Sequence, residues 1–319
     1  MKIVVLERNS VGTDISIEGI TSLGEAVVYP NTVADEVVER IHDAEIIVAN
    51  KVPLNESTLK DAPNVKLICE FATGFDNVDI AYCRSRGIKV ANIVGYSTDS
   101  VAQHTFALCL YVLEKLKRYD DYVKSGTYAA QSRFSNFDLP FFELAGKTWG
   151  IVGMGNIGRK VAQIAAAFGC RVIFYSVTGK SSCTDYERVD FDTLLAESDV
   201  LSLHCPLSDL TRHLINKEAL KKMKSSAVLV NVARGPVICD EDLYEALVEG
   251  EIAGAGLDVT STEPMKESNP LSRIQDSSRL IITPHMAWAS VEARIRCVNE
   301  TAENIKAFLS GENRNIVNL

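Results

Sequence analysis

The stretch GIVGMGNIGRKVAQIAAAFGCRVIFYS, residues 150–176, constrains the fold more than any other part of the chain. A β-rich run (148–153) enters a Gly153-x-Gly155-x-x-Gly158 turn, and the turn opens an alanine-rich helix. Gly169 closes that helix, and a second β-rich run (171–176) follows. The first glycine permits a tight turn, the second lets a pyrophosphate approach the backbone, and the third lets helix and strand pack closely. Phosphates would then sit at the helix N-terminus, where backbone N–H groups favour negative charge. The glycine spacing alone is weak. Its setting between strand, helix and strand makes it a dinucleotide-binding signature, with Gly153, Met154, Gly155, Asn156, Ile157 and Gly158 as candidate contacts.

The same alternation runs through most of the chain. Before this stretch, β-rich runs at 2–6, 25–29, 45–50, 66–71 and 88–92 are separated by segments such as ADEVVERIHD (34–43), a helix candidate. Residues 97–118 read as one buried helix, and 125–146 as a long irregular connection. From residue 148 onward, runs at 148–153, 171–176, 199–204, 227–232, 252–259 and 280–284 form a six-stranded doubly wound unit. Helices are expected at 157–168, 191–196, 216–223 and 240–249. The closing SVEARIRCVNETAENIKAFLSG places apolar residues at 291, 295, 298, 302, 305 and 309, one face of a long helix. Ser290 is its expected N-cap and Gly311 follows its end. The expected architecture is α/β: two doubly wound parallel-sheet domains, a Rossmann cofactor domain inserted in a flavodoxin-like substrate domain. The boundaries read as 1–98, 99–288 and a returning helix, 289–319, with helices 98–118 and 290–310 as the expected hinge.

Composition narrows the function classes. With 46% hydrophobic and 24% charged residues, the 319-residue chain has the make-up of a globular protein with room for two cores. A net charge of −9 argues against nucleic acid as a partner. No apolar run reaches the length of a membrane span, and MKIVVLERNS is no signal peptide. The eight cysteines show no CxxC spacing, and several sit in apolar runs. Reduced core thiols in a cytoplasmic protein, without a metal site, are the expectation.

Three charged residues fall at one edge. In a doubly wound sheet, ligands bind outside the carboxyl ends of the strands. Arg234 follows the fourth strand of the second series, Glu263 the fifth and His285 the sixth. Singly, each has a plain reading: a surface cation, a solvated acid, a backbone-bonded histidine. Together they are the groups that reduction of a 2-keto acid requires. Arginine grips a carboxylate by two parallel bonds and polarises a carbonyl. Histidine moves the alcohol proton, and a neighbouring carboxylate stabilises its charged form.

The motifs GIVGMGNIGRKVA, SDVLSLHCPLSDLTRHLI, KSSAVLVNVARGPVICDEDLYEAL, GAGLDVTSTEP and TPHMAWAS make the chain resemble the D-isomer-specific 2-hydroxyacid dehydrogenase family over essentially its whole length. The HMAWAS form, with Trp288, is most similar to glycerate dehydrogenase and hydroxypyruvate reductase members. The resemblance implies that Arg234 binds substrate, Glu263 supports the histidine and His285 is the acid/base. It also implies that Asp258 meets the nicotinamide amide, and that Cys205, Pro206, Thr211 and Ala233 line the nucleotide pocket. In FATGFDNVD, the backbone around Thr73 and Gly74 would bind the substrate carboxylate; Tyr96, in YSTDSVAQ, is a further substrate candidate. The expected activity is reduction of a small hydroxypyruvate- or glyoxylate-like 2-keto acid to the D-2-hydroxy acid, by a homodimer. Formate or phosphite oxidation on the same fold, and a dinucleotide-sensing corepressor, are the alternatives.

One departure bears on the cofactor. Where family members carry a ribose-binding acid, this chain has Ser176, followed by Val177, Thr178, Gly179, Lys180 and Ser181. No carboxylate repels a 2′-phosphate there, so NAD and NADP both remain open, with NADP tolerated.

Overall fold

A computed structural model describes residues 1–319, which separate into two compact units. One comprises residues 1–97 and 288–319, the other residues 98–287. In the first, strands β1 (Lys2–Val5), β2 (Glu25–Val28), β3 (Ile46–Ala49), β4 (Leu67–Glu70) and β5 (Lys89–Ala91) form a sheet in the order β2-β1-β3-β4-β5. Every pairing is parallel, the order of flavodoxin-like folds. β3 and β4 are buried throughout, which is why IIVA and LICE read as continuous rather than alternating runs. The terminal helix Val291–Leu309 covers one face, packing Ala293, Cys297, Val298, Ala302 and Ile305 against Ile3, Val5, Ile46 and Leu67. The Ser290 hydroxyl accepts from the Ala293 N–H at this helix's start, and Gly311 beyond its end takes a left-handed φ of +81°.

The second unit holds β6 (Thr148–Val152), β7 (Arg171–Tyr175), β8 (Glu187–Arg188), β9 (Val200–Leu203), β10 (Val228–Asn231), β11 (Gly254–Leu257) and β12 (Leu280–Ile282). Their order is β12-β11-β10-β9-β6-β7-β8, all parallel, seven strands rather than the expected six. The additional β8 occupies the place of the third strand in the Rossmann order. It is two exposed residues, Glu187 and Arg188, too short and too polar to leave a hydrophobic signature. The helix expected over 97–118 also differs. It ends at Leu113, Lys115 takes a left-handed φ of +56°, and a separate exposed helix follows, Leu116–Lys124. No glycine or proline marks that break. No helix is long and apolar enough to cross a membrane.

In both units the strands run parallel, so all their carboxyl ends lie on one edge of each sheet. That edge carries the chemistry.

Candidate active site

In the second unit the glycine loop follows β6. Gly153 has φ +94°, and a Cβ there would lie 2.9 Å from the backbone of His204 and Cys205, which follow β9. A Cβ on Gly158 would lie 2.2 Å from the Gly153 carbonyl oxygen. Both positions therefore require glycine for close approach. Gly155 differs: nothing lies within 4 Å of where its Cβ would be, and it caps the helix Asn156–Ala167. Open space at a helix N-terminus, walled by backbone, fits a dinucleotide pyrophosphate. Gly155 and Asn156 are exposed, whereas the Met154 side chain packs into the core with Trp149 and Val161. Of the pocket residues implied by resemblance, Pro206 is exposed, while Cys205, Thr211 and Ala233 are buried. The Thr211 hydroxyl donates to the Pro206 carbonyl at 2.7 Å and accepts from the Ser208 N–H at 2.8 Å, so it staples the loop that presents Pro206.

After β7, Ser176 is buried and its hydroxyl accepts from the Ser181 N–H at 3.3 Å, closing the 176–181 turn. Three cations surround this turn. Lys180 is exposed on it, Arg188 donates to the Gly179 carbonyl at 2.9 Å, and Arg159 reaches the Ser182 hydroxyl at 3.4 Å.

Arg234 follows β10. The Asn231 side chain brackets it, accepting from the Ala233 N–H and donating to the Arg234 carbonyl, each at 3.0 Å. The arginine Nη1 donates to the Ala233 carbonyl at 2.8 Å. Next to it, a Cβ on Gly235 would fall 1.8 Å from the Thr260 carbonyl oxygen, so this loop lies directly on the one after β11. Glu263 stands in that second loop, with Oε1 accepting from the Thr260 N–H at 3.3 Å.

His285 follows β12, and its Nδ1 lies 2.6 Å from Glu263 Oε2. A carboxylate only accepts, so Nδ1 carries the proton of this bond and Nε2 is left to exchange a proton with a ligand. His285 has φ +53°, a left-handed conformation that histidine tolerates better than bulky or branched residues. Its N–H donates to the carbonyls of Asp258 (2.8 Å) and Thr283 (3.0 Å).

The residue that fixes this turn is Asp258, 1% exposed. Its Oδ1 accepts from the Met286 N–H (2.9 Å) and the Thr283 hydroxyl (2.6 Å), and its Oδ2 from the Ala287 N–H (2.8 Å). Since the Thr283 hydroxyl gives its proton to Asp258, it accepts from His104 Nε2 at 2.9 Å. Burial alone would raise the Asp258 carboxyl; the bonds from His104, Thr283, Ala287 and Met286 together hold it below the ordinary value. The resemblance implies that Asp258 meets the nicotinamide. Within the chain, both of its oxygens hold the histidine turn. Thr283 and His104 escaped the sequence reading; the TPH tripeptide was the one local signal for Thr283.

In the first unit, Thr73 and Gly74 lie on the loop after β4. The Thr73 hydroxyl donates to the Ile93 carbonyl at 2.6 Å, and Asn92 Nδ2 donates to the Thr73 carbonyl at 2.8 Å. The threonine side chain thus anchors the loop, which leaves backbone donors as its means of holding an anion. Tyr96 is buried, edge-on to Trp288 with ring centroids 6.2 Å apart, in the core beneath the terminal helix.

The model of the D-isomer-specific 2-hydroxyacid dehydrogenase NAD-binding domain matches residues 106–287. The chain is 39% identical to a hydroxypyruvate reductase of Blautia hydrogenotrophica, covering 100% of both chains. It is also 39% identical to a glycerate dehydrogenase of Methylorubrum extorquens, covering 99% of this chain and 98% of that one. The structure of a D-lactate dehydrogenase from Aquifex aeolicus, complexed with NAD and lactic acid, superposes with a TM-score of 0.86 at 32% identity, covering 98% and 96%. The sheet order, the glycine cradle and the matched sequence agree: the chain belongs to the D-isomer-specific 2-hydroxyacid dehydrogenase family, enzymes that reduce 2-keto acids with a nicotinamide dinucleotide.

Proposed function

We propose that the chain reduces a small 2-keto acid of the hydroxypyruvate or glyoxylate kind, with His285 as proton donor. The observation that carries this reading is the 2.6 Å bond between His285 Nδ1 and Glu263, which fixes the ring's tautomer. A reduced nicotinamide held at the Gly153–Gly158 loop would supply the hydride for the keto carbon. His285 Nε2 gives its proton to the carbonyl oxygen, and Glu263 stabilises the charged ring before transfer. Arg234 holds the substrate carboxylate by two parallel bonds and draws charge onto the carbonyl oxygen. On resemblance, the backbone N–H groups around Thr73 and Gly74 are donors for a substrate carboxylate. The hydroxypyruvate reductase and glycerate dehydrogenase names of two full-length relatives support a small, hydroxylated substrate. Steady-state loss of NAD(P)H with hydroxypyruvate, glyoxylate, pyruvate and larger 2-keto acids tests it. The highest kcat/KM is expected for hydroxypyruvate or glyoxylate. A chain that binds dinucleotide yet reduces none of the panel would instead fit a sensor or a formate- or phosphite-type oxidation.

The Ser176 turn supports use of NADP as well as NAD. Arg159, Lys180 and Arg188 surround it, and no carboxylate stands at residue 176 to repel a 2′-phosphate. Wild type should accept NADPH at least comparably to NADH. Ser176→Asp would supply an acceptor for the ribose 2′-hydroxyl, a charged hydrogen bond of roughly 1.5–3 kcal/mol, so the NADH:NADPH preference should rise at least about tenfold. Comparison of kcat/KM for both cofactors in both proteins decides it, and strong rejection of NADPH by wild type would refute the reading.

A homodimer through the second unit is the proposed assembly. Phe134, Phe137 and Phe141, all in one connection, are 87%, 73% and 57% exposed, and this exposed aromatic surface supports an interface there. Sedimentation velocity should find a dimer, and a Phe134→Asp/Phe137→Asp variant should sediment as a monomer. A monomeric wild type would end this proposal. The eight unpaired cysteines, seven of them buried, support a reducing, cytoplasmic setting.

A further inference from the structure

Beneath the Thr73–Gly74 loop lies a carboxyl group with no part in the chemistry above. Glu70, the last residue of β4, is 0% exposed. Its Oε1 accepts one hydrogen bond, from Asn77 Nδ2 at 3.2 Å, and its Oε2 is buried without any partner. Glu7, in the segment after β1, makes an instructive contrast. A single oxygen of Glu7 accepts from three backbone N–H groups, those of Asn50, Lys51 and Val52, at 2.8, 2.8 and 3.2 Å. Even a partly buried carboxylate gathers donors in this way, and the fully buried Glu70 does not. One acceptor and one oxygen that can carry a proton describe a neutral carboxylic acid.

Asn77 connects Glu70 to the loop. Its Nδ2 also donates to the Val52 carbonyl at 3.0 Å, and its own carbonyl accepts from the Leu54 N–H at 2.9 Å. Val78 donates back to Phe75, and Asp79 to Leu54. The 71–77 loop is therefore pinned to the 50–54 segment through Asn77, whose amide rests on Glu70. The charged groups acting on Glu70 are Glu7 from the segment after β1, which opposes its ionisation, and Lys51 from the turn after β3, which favours it. On its own strand, the adjacent Cys69 thiol is itself pushed far up by burial and by Glu70.

We infer that Glu70 is a positioning residue: it lies buried beneath Asn77 and the carboxylate-binding loop, the loop packs over it while the carboxyl is neutral, and ionisation favours the opening that lets water reach its unpartnered oxygen. This rests on the proposed role of the loop around Thr73 and Gly74. Burial, with Glu7 adding, pushes the Glu70 carboxyl from 4.5 to about 8, against the opposing bond from Asn77. The direction of the pH effect follows. A carboxyl raised in the closed loop penalises closure; the penalty is absent below 4.5, grows as pH rises and is complete near 8.

Hydrogen exchange of the Leu54, Val78 and Asp79 amides, corrected for intrinsic rate, tests the inference without substrate. Wild-type protection should fall by up to about tenfold per pH unit from about pH 5 to about pH 8, then level off. In Glu70→Gln, which keeps the acceptor for Asn77 but cannot ionise, protection should stay flat. KM for the keto acid should rise over the same window more steeply in wild type than in Glu70→Gln, with dinucleotide affinity unchanged in both. The ratio between the proteins matters, because any pH effect on the chemical step is common to both. Asn77→Ala should raise KM already at low pH and remove the pH-dependent difference. Equal exchange profiles, or equal KM profiles, in wild type and Glu70→Gln would overturn the inference. If neither protein reduces any keto acid, the functional reading fails, and the exchange profiles alone decide whether Glu70 holds the loop.

Discussion

His285→Ala lowers kcat for keto-acid reduction by about 10²–10⁴ while dinucleotide affinity stays near that of wild type, if the ring is the proton donor. The separation is expected because the glycine cradle is built after β6 and β9, independently of the turn after β12. Alanine introduces a complication, since residue 285 has φ +53° and a change there can disturb the turn as well as remove the proton. His285→Asn removes the complication. Asparagine tolerates the left-handed conformation, and Asp258 still bonds the N–H groups of Met286 and Ala287. Both variants should therefore show the same loss. A defect in alanine alone would assign the effect to the backbone, and activity within a few-fold of wild type in both would refute His285 as the acid. Glu263→Gln tests the partner. An amide opposite Nδ1 can donate as well as accept, so the tautomer that frees Nε2 is no longer enforced, and kcat should fall with dinucleotide affinity unchanged.

How much of this was legible in the sequence depended on whether the signal was local. The Val291–Leu309 helix was readable because its apolar residues recur at helical spacing and its cap and closing glycine adjoin it. The glycine cradle was readable because three glycines, a strand and a helix are contiguous. Arg234, Glu263 and His285 were readable as a group because parallel strands put their carboxyl ends on one edge. The Asp258 network was not: its partners are the backbone of residues 286 and 287 and a histidine 154 positions earlier, none of which leaves a pattern near GLDV. Glu70 was hidden for a similar reason. In KLICEF it reads as a polar end to an apolar strand, and only the fold shows that burial leaves it one hydrogen-bond donor. The break at Lys115 had no glycine or proline to announce it, and β8 was too short to have a period.

Arg234→Lys is the second large effect, and the loop geometry makes it interpretable. Asn231 brackets the Ala233–Arg234 backbone, and Gly235 is wedged against Thr260, so the main chain at residue 234 is held by contacts that do not involve its guanidinium. Lysine should leave that backbone in place and change the head group alone. A compact ammonium keeps the charge but cannot present two parallel N–H donors to a carboxylate, nor remain aligned on the carbonyl as charge develops there. Loss of one such transition-state donor lowers kcat by about 10²–10³, and KM should rise as well because the carboxylate loses its two-point grip. Dinucleotide binding, measured by fluorescence titration, should change little. Two results would separate the alternatives. A raised KM with kcat intact would restrict Arg234 to holding the carboxylate, while wild-type kcat/KM would return it to the status of a surface cation.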